Sequence, residues 1–312
     1  LTARPLGAAS LYAWGVVVGV ASCFVYLPSL TASQLWFPRH RGLASGVFNF
    51  AFAASAALLA PVLGWMVQVL GYAPAHYLLA AAVLLLGGGA ARGVVRPEAV
   101  QSGAGTLADA HSLTPSESLR TRGFWFLCLV WALQGSAGIA MVTLAVPLGL
   151  SKGATFGAAL IVLTAFSLAN GLSRLVVGFL SDRIGQRSSL CAASLAAGVA
   201  YLALPAVGGL TATAVLAAVV GVAFGTLFTV SAPLAVECFG STHFGTIFGL
   251  VFISYGFLAG LLGPWLSGVV LDRAAGDPFL ACWYLGPFCL AAAALVLGVR
   301  RRPGREKPSV PA

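Results

Sequence analysis

The sequence predicts an all-α protein that crosses a lipid bilayer many times. Hydrophobic residues make up 59% of the chain and charged residues only 8%, with a mean hydropathy of +0.96. Soluble domains carry roughly a quarter charged residues. A transmembrane helix needs about 17–25 mostly apolar residues. Nine stretches of the chain meet this requirement, at residues 11–35, 43–67, 74–91, 123–147, 155–180, 188–206, 212–236, 244–271 and 279–299.

The basic residues fall mainly on one side of these nine spans. Thirteen of the 17 Lys and Arg residues follow the odd-numbered spans, three lie in the opposite segments, and Arg174 lies inside span five. Loops rich in Lys and Arg stay in the cytoplasm. We therefore predict that the C-terminus is cytoplasmic and that the N-terminus of this sequence lies on the far side, and we expect the membrane to be the plasma membrane.

Composition and motifs exclude several classes of protein. The net charge of +9 is explained by the loop positions of the basic residues, whereas a nucleic-acid interface would carry them on a polar surface. We therefore expect no nucleic-acid partner. The chain has no Walker loop, no G-x-S-x-G and no H-E-x-x-H, so we expect neither an enzyme nor a metal or cofactor site.

An internal repeat relates span two to span eight. A shift of 203 positions places His40 on His243, Gly46 on Gly249 and Pro61 on Pro264. Two spans that lie six apart run in the same direction, which is typical of parallel repeats related by an axis along the membrane normal. Spans four, five and six have no earlier counterpart. This arithmetic predicts a twelve-span layout of which this chain holds the fourth to twelfth spans.

A charged loop after span five carries a family resemblance. The pattern Gly178-x-x-x-Asp182-Arg183-x-Gly185-x-Arg187 resembles the signature loop of the major facilitator superfamily, which follows the second and eighth helices of that fold. Span five plus three absent spans is helix eight, so the motif and the count agree. The resemblance implies two halves that rock against each other.

The resemblance to this superfamily also divides the chain. Residues 1–91 are interpreted as a partial N-terminal half and 92–122 as the central cytoplasmic linker. Residues 123–299 are the six-helix C-terminal half, and 300–312 form a basic tail. Within the linker, Thr114-Pro115-Ser116-Glu117 predicts a helix start.

Two further segments resemble the monocarboxylate transporters and the oxalate/formate antiporters. Residues 36–46 are similar to an aromatic and basic segment ending in R-x-L-A-x-G, and Asn170-Gly171-x-x-Arg174 is similar to the eighth helix of both groups. In those groups the arginine binds the substrate carboxylate. The resemblance therefore implies a secondary active transporter of small organic anions.

Arg174 is the main candidate for the substrate-binding site. An arginine inside a span costs about 2.5–3.5 kcal/mol on insertion scales, so it normally faces a cavity or a partner. Ser167, Asn170 and Arg174 share one helical face. A guanidinium binds a carboxylate through two parallel hydrogen bonds. The alternative is that Arg174 reaches the membrane interface, which lies about 10 Å away along the helix.

Two residues differ from the patterns of the resembled groups. Asn170 stands where proton-coupled monocarboxylate carriers have an aspartate, and Tyr255 stands near the position of a lysine in oxalate/formate antiporters. Both differences favour a singly charged anion. Gln134 in span four and Tyr255 are the remaining candidates for the substrate-binding set. Each also has a purely structural interpretation as a contact between helices.

The gating loop is the second predicted functional feature. We expect it to hold the two halves together, because the Asp182 carboxylate pairs with basic groups or meets a helix N-terminus. Its predicted members are Gly178, Asp182, Arg183, Gly185, Arg187, Arg39, Arg41 and Gly46. A transporter for a different solute, or a truncated fragment that does not transport, remain open as alternatives, and the oligomeric state is not predicted.

Overall fold

The computed structural model describes residues 8–93, 112–273 and 277–299, and within these ranges every regular element is helical. Nine long helices coincide with the nine predicted spans. A short helix, α4, lies between the third and the fourth of them. Their bounds are α1 Ala8–Trp36, α2 Arg41–Leu70, α3 Tyr72–Ala91, α4 Pro115–Leu119, α5 Arg122–Ser151, α6 Phe156–Ile184, α7 Gln186–Ala203, α8 Leu210–Phe239, α9 Phe244–Asp272 and α10 Phe279–Gly298. Within the described residues, seven of these helices are long and apolar enough to cross a membrane: α1, α3, α5, α6, α8, α9 and α10.

Helices α5 to α10 pack around one core. Helix α5 contacts α6, α8, α9 and α10, while α7 lies against α8 and α10. Close approach of α8 to α6 depends on two glycines four residues apart. A Cβ at Gly221 would lie 2.3 Å from the Phe166 carbonyl oxygen, and a Cβ at Gly225 would lie 2.4 Å from the Asn170 carbonyl oxygen. Small residues at such crossings are typical of helices that associate in lipid.

Helices α1 and α2 lie against this six-helix group. Helix α2 packs on α6 and α8, α1 packs on α2 and α9, and α3 contacts α2. The outer faces of α1 and α3 carry exposed apolar side chains, including Phe24, which is 77% exposed, and Leu85, which is 76% exposed. These faces match lipid tails, which are the expected surroundings of such surfaces.

Contacts between loops and helix ends define two opposite ends of the bundle. At one end, the Leu113 N–H donates to the Phe239 carbonyl over 2.8 Å. At the other end, Lys152 Nζ donates to the Val207 carbonyl over 2.7 Å and lies over the ring of Phe279. We refer to the first as the basic end, because the predicted cytoplasmic loops meet there.

The predicted helix start in the linker is confirmed, but it belongs to α4 rather than to a transmembrane helix. Thr114 and Glu117 form a capping box, in which each side chain bonds the backbone of the other residue. The transmembrane helix α5 begins after it, with Thr121 as its own N-cap. The rest of the linker, at 94–111, and the basic tail, at 300–312, lie outside the described residues.

Candidate functional site

Arg174 lies inside the protein and faces α2. Its side chain is 6% exposed, and its Nη1 donates a hydrogen bond of 2.9 Å to the backbone carbonyl of Asn49 on α2. Its Nη2 lies 3.4 Å from Oδ1 of Asn170, one turn earlier on α6. The guanidinium carbon is 4.8 Å from the centre of the Phe228 ring on α8. Arg174 is therefore directed away from the membrane interface, and no carboxylate contacts it among the described residues.

Asn49 connects the residues around Arg174. Tyr26 on α1 donates its hydroxyl hydrogen to Oδ1 of Asn49 over 2.8 Å. Nδ2 of Asn49 donates to the Ser45 carbonyl over 2.8 Å and lies 3.3 Å from the Phe228 carbonyl. Asn49 is fully buried, so these bonds satisfy a polar group that would otherwise be costly in this position. Helices α1, α2, α6 and α8 thus meet at one polar cluster.

Aromatic side chains surround this cluster. Tyr255, predicted as a site residue, lies in a π-helical turn of α9 spanning Ser254–Ala259, and such turns are frequent at functional sites. Its ring centre is 5.2 Å from that of Phe228 and 5.3 Å from that of Trp131. Phe228 is also the ring that lies against the Arg174 guanidinium, at 4.8 Å. The structure therefore brings Arg174, Asn170 and Tyr255 together.

The amide of Gln134 joins three helices. Its Nε2 donates to the Ala223 carbonyl on α8 over 2.8 Å, and its Oε1 accepts a hydrogen bond from the Ser194 hydroxyl on α7. The side chain is 2% exposed. These contacts fit the structural interpretation of Gln134 rather than the substrate-binding one. Ser167, on the predicted polar face of α6, is exposed in the described structure.

Helices α2 and α6 cross in near contact at the basic end. A Cβ added to Gly46 would lie 2.3 Å from the Arg174 carbonyl oxygen, and one added to Gly178 would lie 2.8 Å from the Gly42 carbonyl oxygen. Distances below 3.0 Å to backbone atoms require the helices to separate. Gly46 and Gly178, both predicted members of the gating loop, are therefore needed for this crossing.

The Asp182 carboxylate closes the same crossing. Its Oδ1 accepts from the Gly42 N–H over 2.7 Å, and its Oδ2 accepts from the Leu43 N–H over 2.9 Å. Both donors belong to the first turn of α2, where backbone N–H groups have no helical partner and the helix dipole favours negative charge. Gln186 Nε2 also donates to Oδ1 over 3.1 Å. Of the two arrangements expected for Asp182, the structure shows the helix N-terminus.

The other predicted gating residues have different surroundings. Arg187 donates to the carbonyl oxygens of Val296 and Leu297 at the C-terminus of α10, a position that suits a cation. Arg183 lies over the ring of its neighbour Phe179, 4.2 Å from the ring centre. Gly185 forms the turn after α6 at φ +92°, Arg39 is exposed before α2, and Arg41 opens α2.

Four residues of this cluster were not predicted from the sequence: Asn49, Tyr26, Trp131 and Phe228. Asn49 carried a usable signal, because it is a lone amide between Phe48 and Phe50 in a long apolar span. The three aromatic residues carried none, since aromatic side chains are common in all the spans. Only the packing distinguishes those beside Arg174.

Comparison with protein families agrees with this geometry. The sequence model of the protein family described as Major Facilitator Superfamily matches residues 133–312, which is more than half of the chain. The chain belongs to the major facilitator superfamily. The predicted resemblance to this superfamily and the all-α fold are thereby confirmed, and the protein is an integral multi-pass membrane protein.

Three curated relatives match between 58% and 92% of the chain. An oxalate:formate antiporter of Oxalobacter formigenes is 28% identical over 184 residues, covering 58% of this chain and 43% of that protein. Monocarboxylate transporter 11 of Mus musculus is 30% identical over 320 aligned positions, covering 92% of this chain and 66% of that protein. An uncharacterized MFS-type transporter of Escherichia coli (strain K12), YhjX, is 25% identical over 248 residues, covering 78% and 61%. The chain thus spans less than two thirds of the length of these relatives.

Proposed function

We propose that the protein is a secondary active transporter of small, monocarboxylate-like organic anions. Arg174 carries this proposal: it is a buried cation with no contacting carboxylate among the described residues, and its other neighbours are amides, a carbonyl and aromatic rings. A buried charge without a counter-charge is costly. An anionic substrate supplies the counter-charge. The names of the oxalate:formate antiporter and of monocarboxylate transporter 11 support the same class of substrate.

The surroundings of Arg174 favour a single negative charge. Asn170 and Tyr255 are uncharged, so neither supplies a second cation for a dianion nor a carboxylate for proton coupling at this position. A monocarboxylate balances the one guanidinium, whereas a dianion would leave one charge uncompensated in apolar surroundings. Both sequence differences noted for these residues agree with this argument.

Alternating access follows from the crossing of α2 and α6. We take residues 1–91 and 123–299 as parts of the two moving halves, with residues 92–122 as their linker. In the described conformation, the Asp182 bonds to Gly42 and Leu43 hold these halves together at the basic end. Opening at this end requires those bonds to break and α2 to leave α6, while an anion on Arg174 competes with the Asn49 carbonyl. Substrate binding thus weakens one bond between the halves.

The orientation and the membrane are part of the same proposal. The basic end faces the cytoplasm, because it carries most of the basic loop residues, and the plasma membrane is the expected location. The C-terminal tail then lies in the cytoplasm.

Uptake by the purified protein in liposomes tests this function. We expect accumulation of radiolabelled monocarboxylates but not of sugars, amines or inorganic cations. Arg174→Ala removes the counter-charge and abolishes uptake. Arg174→Lys keeps the charge but loses the two-pronged geometry of the guanidinium, and uptake falls by about tenfold or more. Uptake of an uncharged solute, independent of Arg174, would establish a different substrate class.

Arg120→Lys is the matched control. Arg120 is exposed at the basic end, outside the spans and outside the gating loop, so this variant should transport like the unmodified protein. Each variant must reach the membrane in equal amounts. Wild-type uptake by both Arg174 variants would show that the residue serves only packing and that the proposed substrate class is wrong.

A further inference from the structure

Two buried hydrogen-bond donors at the candidate site have no partner in the described structure. They are Nε1 of Trp131, whose side chain is fully buried, and Nε of Arg174. Buried polar groups are nearly always hydrogen-bonded, so each of these two donors calls for an acceptor. An anionic ligand at this site would supply one. Both side chains contact Phe228. The ring centre of Phe228 is 5.0 Å from that of Trp131 and 4.8 Å from the Arg174 guanidinium carbon.

The walls around these two donors are aromatic and come from several helices. Trp131 packs edge to face against Phe252 and Tyr255, with ring centres 5.0 Å and 5.3 Å away. Tyr26, from α1, stacks on Phe252 at 5.4 Å with an interplanar angle of 20°. Aromatic rings pack well against another ring through offset or edge contacts. The site therefore combines one cation, one unsatisfied indole N–H and walls that suit a flat apolar group.

This arrangement favours binding of monocarboxylates that carry an aromatic ring over those that do not. Formate and acetate offer almost no apolar surface to the rings, and oxalate places a second charge against them. A carboxylate attached to an aromatic ring uses both parts of the site, because burial of apolar surface adds to the charge pairing.

We propose that the preferred substrate is an aromatic monocarboxylate, and that Trp131 binds it by donating its indole N–H to the carboxylate held by Arg174. This inference rests on the proposed function of the Arg174 site. The ligand ring inserts among Phe228, Phe252 and Tyr255, replacing some of the ring contacts of the described conformation. Trp131 is thus a specificity-determining residue that motif comparison did not identify.

Equilibrium binding to the purified protein in nanodiscs tests the proposal without requiring transport. Phenylacetate should bind at least about tenfold more tightly than acetate, and oxalate should bind no better than acetate. Trp131→Phe keeps a ring but removes the donor, and should weaken phenylacetate binding by about tenfold. Phe228→Leu removes one aromatic wall and should reduce the preference for phenylacetate over acetate.

Trp125→Phe is the matched control for Trp131→Phe. Trp125 lies on the same helix, is 55% exposed and already donates its Nε1 hydrogen to the Leu119 carbonyl. Its replacement should not change binding. If Trp131→Phe does not fold, Phe228→Leu and the comparison of acetate, oxalate and phenylacetate still test the proposal.

The possible outcomes separate this inference from the proposed function. Equal affinity for acetate and phenylacetate, with both lost in Arg174→Ala, would overturn the aromatic preference and leave an anion site in place. Equal binding of phenylacetate and benzyl alcohol, unaffected by Arg174→Ala, would overturn the anion site as well. Absence of binding by every carboxylate would contradict both. Unchanged phenylacetate affinity in a folded Trp131→Phe protein would remove Trp131 from the site.

Discussion

The guanidinium of Arg174 and the backbone carbonyl of Asn49 are joined by a hydrogen bond of 2.9 Å that connects α6 to α2. Among the described residues of the polar cluster, Arg174 is the one cation. In the proposed transport cycle, an anion that binds Arg174 competes with this contact between two helices that separate. Under that proposal, binding and opening share one residue, which is a direct way to couple them.

Asn170→Asp should weaken anion binding. The new carboxylate would lie close to Arg174, because the present Oδ1 is 3.4 Å from Nη2. It pairs with the guanidinium and competes with a bound anion, so monocarboxylate affinity should fall by roughly tenfold. The neighbouring guanidinium favours the ionised form of the new carboxylate, so the loss should persist between pH 8 and pH 5.5. Equilibrium binding of acetate over this pH range checks this.

Asn170→Ala is the control for the aspartate variant, since it removes the amide without adding a charge. Its affinity should lie well above that of the aspartate variant. Equal affinities for the aspartate and alanine variants would show that position 170 does not face the anion.

Asp182→Asn should weaken closure at the basic end. Asparagine retains one acceptor oxygen, so it keeps at most part of the two bonds to Gly42 and Leu43 and loses the favourable charge at the start of α2. The expected loss is about 1–2 kcal/mol. A cysteine placed at Ser181, which is buried at this crossing, should be alkylated faster in the Asp182→Asn background.

Asp272→Asn provides the comparison, because Asp272 is exposed near the end of α9 at the opposite side of the bundle. It should leave the alkylation rate unchanged. Equal rates with and without Asp182 would mean that the carboxylate does not hold the crossing closed.

Gly46→Ala should force α2 and α6 apart. The new Cβ would lie 2.3 Å from the Arg174 carbonyl oxygen, which is backbone and cannot turn away. Overpacking of this kind costs about 1–3 kcal/mol, and a lower midpoint of thermal unfolding in detergent measures it. Gly64→Ala, on the same helix with nothing within 4 Å, should be neutral or slightly stabilising. A matched effect at both positions would contradict the close crossing.

Gln134→Leu should reduce stability without changing ligand selectivity. The substitution removes the bonds to Ala223 and Ser194 and leaves the Ser194 hydroxyl with only its bond to the Leu190 carbonyl. We expect a loss of about 1–3 kcal/mol in unfolding free energy and an unchanged carboxylate affinity. A lower carboxylate affinity in a variant of normal stability would show that Gln134 takes part in substrate binding.

Cysteines placed at Lys152 and at Arg39 should label from opposite sides of the membrane. In a background without the natural cysteines, an impermeant reagent added outside intact cells should reach the first and not the second, because basic loops stay inside. Labelling of both from outside would overturn the proposed orientation.

Much of the fold was predictable from the sequence. Each of the nine apolar stretches coincides with a helix, because the length of an apolar run and the bilayer thickness determine where a helix begins and ends. His40 and His243, matched by the repeat, occupy the N-cap positions of α2 and α9. The axis along the membrane normal that relates those helices stays a prediction.

The site was only partly predictable. Arg174, Asn170 and Asp182 stand out because charged and amide side chains are rare and costly in apolar spans. Tyr26, Trp131 and Phe228 do not, because an apolar ring facing lipid and one facing a ligand have the same local sequence signal.

Local patterns along the chain thus determined the spans, the charged loop and the buried arginine. Only the tertiary structure decided that Gln134 joins helices α5, α7 and α8 and that Asn49 receives the Arg174 bond. The physical reason is that these contacts connect residues as far as 125 positions apart. Such pairings depend on how helices cross, and the crossings depend on glycine contacts that no single segment specifies by itself.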